Sequence, residues 1–259
     1  VAKVKESQAV VVLHSGAAKR LIARGVGALP QVQRALETGL VVITLGTTNA
    51  YVAEELLGKP VDKVGHCAGY IGGELAVVPA GRRGGDLVLE RGRPVEITGE
   101  EVRERLGPGD VLIKGGNVLD PQGVVGVMMA SPSGGTVGRY VTLALARGVE
   151  IVVPISLTKC IHGSVPQLAR ALGSGKLAHA SGLRIGLFPL VGSIVTEREA
   201  IELLYGVTAS HLASGGVGAG EGAVTLLLSG EEGKVAQAFG ELARLAQEEP
   251  RLEFHADPG

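Results

Sequence analysis

Residues 41–58 read "VVITLGTTNAYVAEELLG", and the periodicity changes halfway along. Val41 to Leu45 is an apolar run rich in β-branched residues, after which Ala50, Ala53, Leu56 and Leu57 recur at helical spacing. Between the two lies Gly46-Thr47-Thr48-Asn49, small and hydroxyl-rich. A strand that becomes a helix across such a corner aims unpaired backbone N–H groups at one spot, which favours an anion.

Working outward, the same alternation recurs. "SGAAKRLIARGVGAL" and "PQVQRALETG" read as two helices, the second opened by Pro30 and closed by Gly39, while "AVVVLH" before them fits a strand or one side of a helix. Residues 66–97 read as short strands, with a hairpin turning at Arg91-Gly92. "TGEEVRERLGPGD" is a capped helix, and "DVLIKGGNVLDPQG", "VVGVMMA" and "SPSGGTVG" form a second strand-and-loop unit. "RYVTLALARG" continues as a helix and "VEIVVPIS" as a continuous apolar strand. Strands apolar on both faces and alternating with helices predict an α/β fold with a mainly parallel, Rossmann-like sheet.

After residue 183 the pattern restarts. Strands at 184–190, 208–214, 223–228 and 251–255, with helices at 196–205 and 231–246, give the order β-α-β-β-α-β of a ferredoxin-like α+β unit. The expected organisation is therefore an α/β ligand-binding domain at 1–182 and a ferredoxin-like domain at 183–259. Helices 99–106 and 231–248 are ordinary amphipathic patterns.

Composition narrows the classes of function. The chain has 259 residues and is 45% hydrophobic, but only 3% aromatic with no Trp, so its core is built from Val, Leu, Ile and Ala. Its 41 glycines cluster at the ends of apolar runs rather than repeating with a period, which argues for many tight corners and against collagen. Lys plus Arg (25) nearly cancels Asp plus Glu (26), which leaves no basic field for a nucleic-acid backbone. No apolar run reaches the ~18 residues of a membrane span. The start "VAKVKESQAV" carries no signal-peptide pattern, so a cytoplasmic protein without nucleic-acid or membrane partners is expected. A homo-oligomer is left open. Cys67 and Cys160, with His66 and His162 beside them, match no standard zinc spacing, and neither metal nor cofactor is expected.

Three loops follow apolar strands or lead into helices: Gly46-Thr47-Thr48-Asn49, Lys114-Gly115-Gly116-Asn117 and Ser133-Gly134-Gly135-Thr136. In a doubly wound sheet such loops converge at the carboxyl ends of the strands. Glycine lets a ligand approach the backbone, hydroxyls add donors, and helix N-termini favour negative charge. No GxxxxGK[ST] loop is present, and "GGVGAGEG" at 215–222 lies between two strands, the wrong setting for a dinucleotide loop.

The stretch "VITLGTTNAYVAEELLG" resembles the phosphate loop of type A ribose-5-phosphate isomerase and its equivalent in sugar-sensing domains of bacterial repressors. "DVLIKGGNVLDPQGVVGVMMASPSGGTVGRYVTLALARGVEIVVPI" resembles the later strand–loop–helix block of those proteins, and of sugar-phosphate isomerases related to eukaryotic initiation factor 2B subunits. All share the fold of glucosamine-6-phosphate deaminase and the coenzyme A transferases. The resemblance spans residues 40–160. It implies phosphate binding by Thr47 and Thr48, matches Lys114 to the lysine of the isomerase's "KGGGG" loop, and suggests Lys159 as a second cation. The isomerase's small ferredoxin-like domain corresponds to 183–256. Two departures stand out: Pro108-Gly109-Asp110 replaces an acidic "DGADE"-like segment, and Asn117 stands near where an Asp is found in the initiation-factor-like isomerases.

The leading expectation is an enzyme acting on a phosphorylated sugar or similar anionic metabolite by proton transfer at a carbonyl. Thr47, Thr48, Ser133 and Thr136 would hold the anion, Lys114 would stabilise enediolate charge, and Asp120 would be the base. The alternatives are a non-catalytic sensor with the same pocket, and acyl or coenzyme A transfer using Glu74 or Glu221.

Overall fold

The computed structural model describes residues 5–256. In chain order the elements are β1 (Glu6–Leu13), α1 (Ser15–Ala28), α2 (Pro30–Thr38), β2 (Leu40–Ile43), α3 (Thr47–Leu57), β3 (Gly69–Ile71), β4 (Leu75–Val77), β5 (Leu87–Glu90) and β6 (Arg93–Val95). There follow α4 (Gly99–Arg105), β7 (Val111–Ile113), β8 (Val118–Leu119), β9 (Val125–Met129), a π-helical turn (Val137–Val141) running into α5 (Thr142–Arg147), and β10 (Glu150–Pro154). The chain ends with α6 (Val165–Ala171), β11 (Gly186–Leu190), β12 (Ser193–Val195), α7 (Glu197–Tyr205), β13 (Thr208–Ser214), β14 (Val224–Glu231) and α8 (Glu232–Glu248).

Local chemistry sets many of these boundaries. Capping boxes start α4 at Thr98/Glu101 and α7 at Thr196/Glu199, Pro30 opens α2, and Gly58 in the left-handed region (φ 63°) closes α3. The β5–β6 hairpin turns on Arg91 (φ 48°) and Gly92 (φ 73°), two consecutive left-handed residues of the kind that match strand twist.

A mixed six-stranded sheet in the order β12-β10-β7-β2-β5-β6 forms the centre. β12, β10, β7 and β2 run parallel, whereas β5 is antiparallel to β2 and β6 to β5. The parallel strands β2 and β7 are buried along their whole length, as expected of strands covered on both faces.

The ferredoxin-like unit expected from residue 183 onward is not formed. β11 pairs antiparallel with β9, and β12 extends the central sheet beside β10. β13 and β14 do pair, but β14's other neighbour is β1, over the register Glu6↔Glu231 to Leu13↔Val224. β1 wins that place because its alternate residues Val11 and Leu13 are buried on the same face as Leu226 and Leu228. Residues 251–255, expected as the last strand, form none; Phe254 instead packs on Tyr70 with ring centroids 5.1 Å apart. Nor does a boundary at 182/183 separate two cores, since one apolar cluster runs from Val11 through Val42 and Val152 to Leu245. Residues 1–4 and 257–259 of the expected domains lie outside the described residues. No helix among the described residues is long and apolar enough to cross a membrane.

Candidate functional site

Parallel pairing dictates where the loops meet. The register aligns Ile43 with Ile113 and Ile113 with Val152, so chain leaving β2, β7 and β10 emerges at one edge of the sheet. Backbone bonds from Thr44 N to Ile113 O (3.0 Å) and from Lys114 N to Val152 O (2.9 Å) continue the ladder just past the strands. The loop after β9 approaches the same edge. The result is a cavity of about 670 Å³ lined by Gly46–Asn49, Lys114–Asn117 and Gly134–Thr136. Backbone of Gly46, Gly116 and Gly135, distant in sequence, thus faces one cleft.

Glycine is needed here for space as well as backbone freedom. A Cβ at Gly116 would lie 2.1 Å from Val125 Cγ1. Gly134 and Gly135 are consecutive left-handed residues (φ 77° and 57°), which turn the chain from β9 into the π-helical turn.

The cleft is cationic. Lys114, Lys159, Arg139 and Arg83 line it, against one carboxylate, Asp86. Lys114 is 6% exposed and its Nζ donates only to its neighbour's carbonyl, Gly115 O, at 3.0 Å. Lys159 Nζ donates to Gly116 O at 2.6 Å. Neither ammonium has a carboxylate within 4.0 Å among the described residues. Burial, reinforced by the Lys159 charge, lowers the Lys114 pKa to about 8, and burial lowers that of Lys159 too. A buried Lys114 and a half-buried Lys159, with no counter-ion within 4.0 Å among the described residues, make a site that negative charge would stabilise.

Helix α3 points the same way. Its N-cap, Gly46, supplies no side-chain acceptor. Thr48 and Asn49 are buried residues of the cavity lining, and Thr48 Oγ1 and Asn49 Oδ1 have no hydrogen-bond partner among the described residues. The Asn49 amide is oriented by its nitrogen, which donates to Thr44 O at 2.8 Å. An unpaired buried hydroxyl at a helix N-terminus is a donor in waiting.

Asp86 supplies the acid that the three loops lack. Because β5 is antiparallel to β2, the residue before β5 falls at the carboxyl end of β2, and Leu45 N donates to Asp86 Oδ1 at 3.2 Å. Asp86 Oδ2 accepts from Tyr140 OH (3.0 Å) and Arg139 Nη1 (3.1 Å), both carried by the π-helical turn. His66, whose ring is buried beside Asp86, has its pKa lowered by burial, and its Nε2 is also without a partner.

Some expected site residues lie elsewhere. Asp120 is a structural acid: Oδ1 accepts from Gln122 N and Val124 N, and Oδ2 from Val165 N at the start of α6. It does not line the cavity, so it is not a base there. Ser133 is exposed, its hydroxyl paired with Ser131 Oγ, and only the rest of its loop reaches the cleft. Asn117 lines the cavity but spends its Oδ1 on Met128 N (2.9 Å), which ties the loop to β9. Glu74 and Glu221 are exposed and outside the cleft, so the acyl-transfer nucleophiles are not assembled. Burial pushes the Cys67 thiol up to about 11, and no group of three His, Cys, Asp or Glu side chains among the described residues could hold a metal ion.

Sequence reading missed Asp86, Arg139 and Glu197. Asp86 sits in "RRGGDLVLE", a glycine pair and an acid before a strand, but only antiparallel pairing carries it to the site. Glu197 is fully buried and accepts from Ser156 Oγ (2.5 Å) and Leu157 N (2.9 Å), fixing the turn that presents Lys159. Burial holds its carboxyl above the usual range. No protein-family model, curated protein or solved structure matches the chain.

Proposed function

We propose that this protein is a cytoplasmic enzyme acting on a small phosphorylated carbonyl compound, of the class that includes sugar phosphates, by proton transfer beside the carbonyl. The observation that carries the reading is the convergence of three loops on a cleft with two lysines, Lys114 buried and Lys159 half-buried, neither paired with a carboxylate among the described residues. The α3 N-terminus, with Thr47 and Thr48, would take the phosphate, and Lys114 would face the carbonyl oxygen. Asp86 would remove the proton from the neighbouring carbon and return it to the other, while Lys114 would stabilise the enediolate and pass the hydroxyl proton from one oxygen to the other. The four parallel strands with ligand loops at their carboxyl ends support a Rossmann-like plan of the glucosamine-6-phosphate deaminase type. Both cysteines are free, which suits a reducing compartment.

A non-catalytic sensor is the second reading, favoured by the three hydrogen bonds that already occupy Asp86. Two measurements separate the readings. Calorimetry with inorganic phosphate should show binding that Thr47→Ala combined with Lys114→Ala removes. Proton NMR in D2O with ribose 5-phosphate and dihydroxyacetone phosphate should show enzyme-dependent deuterium exchange, lost in Asp86→Asn. Binding without exchange would leave the sensor; no phosphate binding would end both.

A further inference from the structure

The wall opposite the lysines is of another kind. In the β3–β4 hairpin the register Gly69↔Val77, Tyr70↔Ala76 and Ile71↔Leu75 sorts side chains onto two faces, because directly paired residues share a face. Tyr70 is spent on Phe254 and the small cluster around Cys67 and Val78. The other face carries Ile71, Leu75 and Val77, and all three line the cavity, to which Tyr70 and Ala76 also contribute. Leu183, Ile185 and Met129 line it as well. Ile71 and Val77 are 65% and 45% exposed, although each is the kind of residue a hairpin ordinarily buries. None of these six side chains carries an N–H or O–H donor. Sugar hydroxyls against them would surrender water without gaining a partner, which is unfavourable.

We infer that the ligand is an anion with an apolar body: its charged group sits at the α3 N-terminus with Lys114 and Lys159, and a hydrocarbon portion lies against Ile71, Leu75 and Val77. The inference rests on the anion site of the proposed function and narrows its substrate class from polyhydroxylated chains to phosphorylated carbonyl compounds with an alkyl or aryl body. Charge complementarity fixes which end goes where, since Lys114 and Lys159 stand on the loops after β7 and β10 and the hairpin strands carry no charged side chain in the cavity. The Thr48 hydroxyl, on a residue 3% exposed and without a partner among the described residues, marks the polar end independently. A volume of about 670 Å³ suits a ligand larger than free phosphate.

Calorimetry with inorganic phosphate, glycerol 3-phosphate and phenyl phosphate tests this on the full chain. Phenyl phosphate should bind at least about tenfold tighter than glycerol 3-phosphate, with a more negative heat-capacity change from buried apolar area. Ile71→Ser with Val77→Ser, both exposed and so harmless to the core, should erase most of that advantage and leave inorganic phosphate unchanged. Equal affinity for the two esters, or a double variant that weakens both alike, overturns the inference while leaving the anion site standing. If inorganic phosphate itself fails to bind, the proposed function falls and this inference with it. Light scattering covers the rival occupant: a wild-type dimer that the double variant turns into monomer means that a second copy covers the hairpin, and overturns the inference.

Discussion

Replacing Lys114 by Met should make the folded protein more stable at neutral pH. Lys114 is 6% exposed, without a carboxylate partner, and burial with the nearby Lys159 charge lowers its pKa from 10.5 to about 8. At about 1.4 kcal/mol per tenfold change, that gap amounts to roughly 3 kcal/mol held against folding. Below pH 8 the amine is protonated in both states and the folded protein bears the whole penalty. Between pH 8 and 10.5 the unfolded chain holds a proton that the native one has released, so wild-type stability climbs with pH. Above 10.5 the penalty is gone. Urea unfolding of wild type and Lys114→Met in the presence of a thiol reductant should thus show a gap of up to about 3 kcal/mol at pH 7, with a Tm difference of several degrees for a chain of this size. The gap should close towards pH 10.5, down to whatever the extra methyl group contributes. Lys19, whose pKa burial also lowers to about 8, is present in both proteins and cancels in the comparison. Added phosphate should stabilise the wild type more than the variant, because the variant keeps Lys159 and the α3 N-terminus but loses one of the cations that gain a partner. A gap of the same size at pH 7 and pH 10.5 would refute the reasoning, since it would mean that the charge carries no penalty.

Asp120→Ala should cost at least about 2 kcal/mol by stripping the acceptor from three backbone N–H groups, yet leave phosphate affinity in calorimetry unchanged; the reverse pattern would return Asp120 to the site. Gly116→Ala should destabilise by about 1–3 kcal/mol, because its Cβ would stand 2.1 Å from Val125 Cγ1, and adding Val125→Ala should restore part of the loss rather than add to it. Glu54 accepts from Lys63 Nζ (2.7 Å), Val61 N (3.0 Å) and Arg20, and although burial pushes its carboxyl up, these partners outweigh it and hold the pKa below its usual value. Its stabilisation is complete above the ordinary glutamate range and is lost as pH falls through the lowered value. Glu54→Gln should therefore cost about 3 kcal/mol at pH 7 in denaturant titration and flatten the loss of stability on acidification.

The strand–corner–helix units were legible because each is a local pattern. Val41 to Gly58 states its strand, its helix and its cap within eighteen letters, and the capping boxes at Thr98 and Thr196 are equally explicit. The gathering of the Gly46, Lys114 and Gly134 loops was also legible, since parallel strands joined by helices must bring their carboxyl ends to one edge. Sheet membership was not. "RLEFH" at 251–255 reads as a strand and "AVVVL" at 9–13 as a strand or one side of a helix, and only long-range packing gave the place beside β14 to the latter, whose alternate residues complete a buried face. Likewise, "GLFPL" at 186–190 carries nothing that says whether it pairs with β9 or with β13.

The same division runs through the site. Loops and glycines follow from residue type and spacing, because backbone freedom and helix N-termini are properties of a few consecutive residues. Asp86 reaches the cleft only because β5 runs antiparallel to β2, and Glu197 meets Ser156 only because β12 joins the sheet beside β10. Asp120 looked like a base by its nearness to Asn117 in sequence, yet its carboxylate turns to the start of α6. What the sequence alone determined was most of the local strands, corners and helices, and that three of those corners could face one cleft. Which charges stand around that cleft was decided by strand pairing that brings together residues 41 or more apart in sequence, where the free energy lies in packing and burial and not in any local preference.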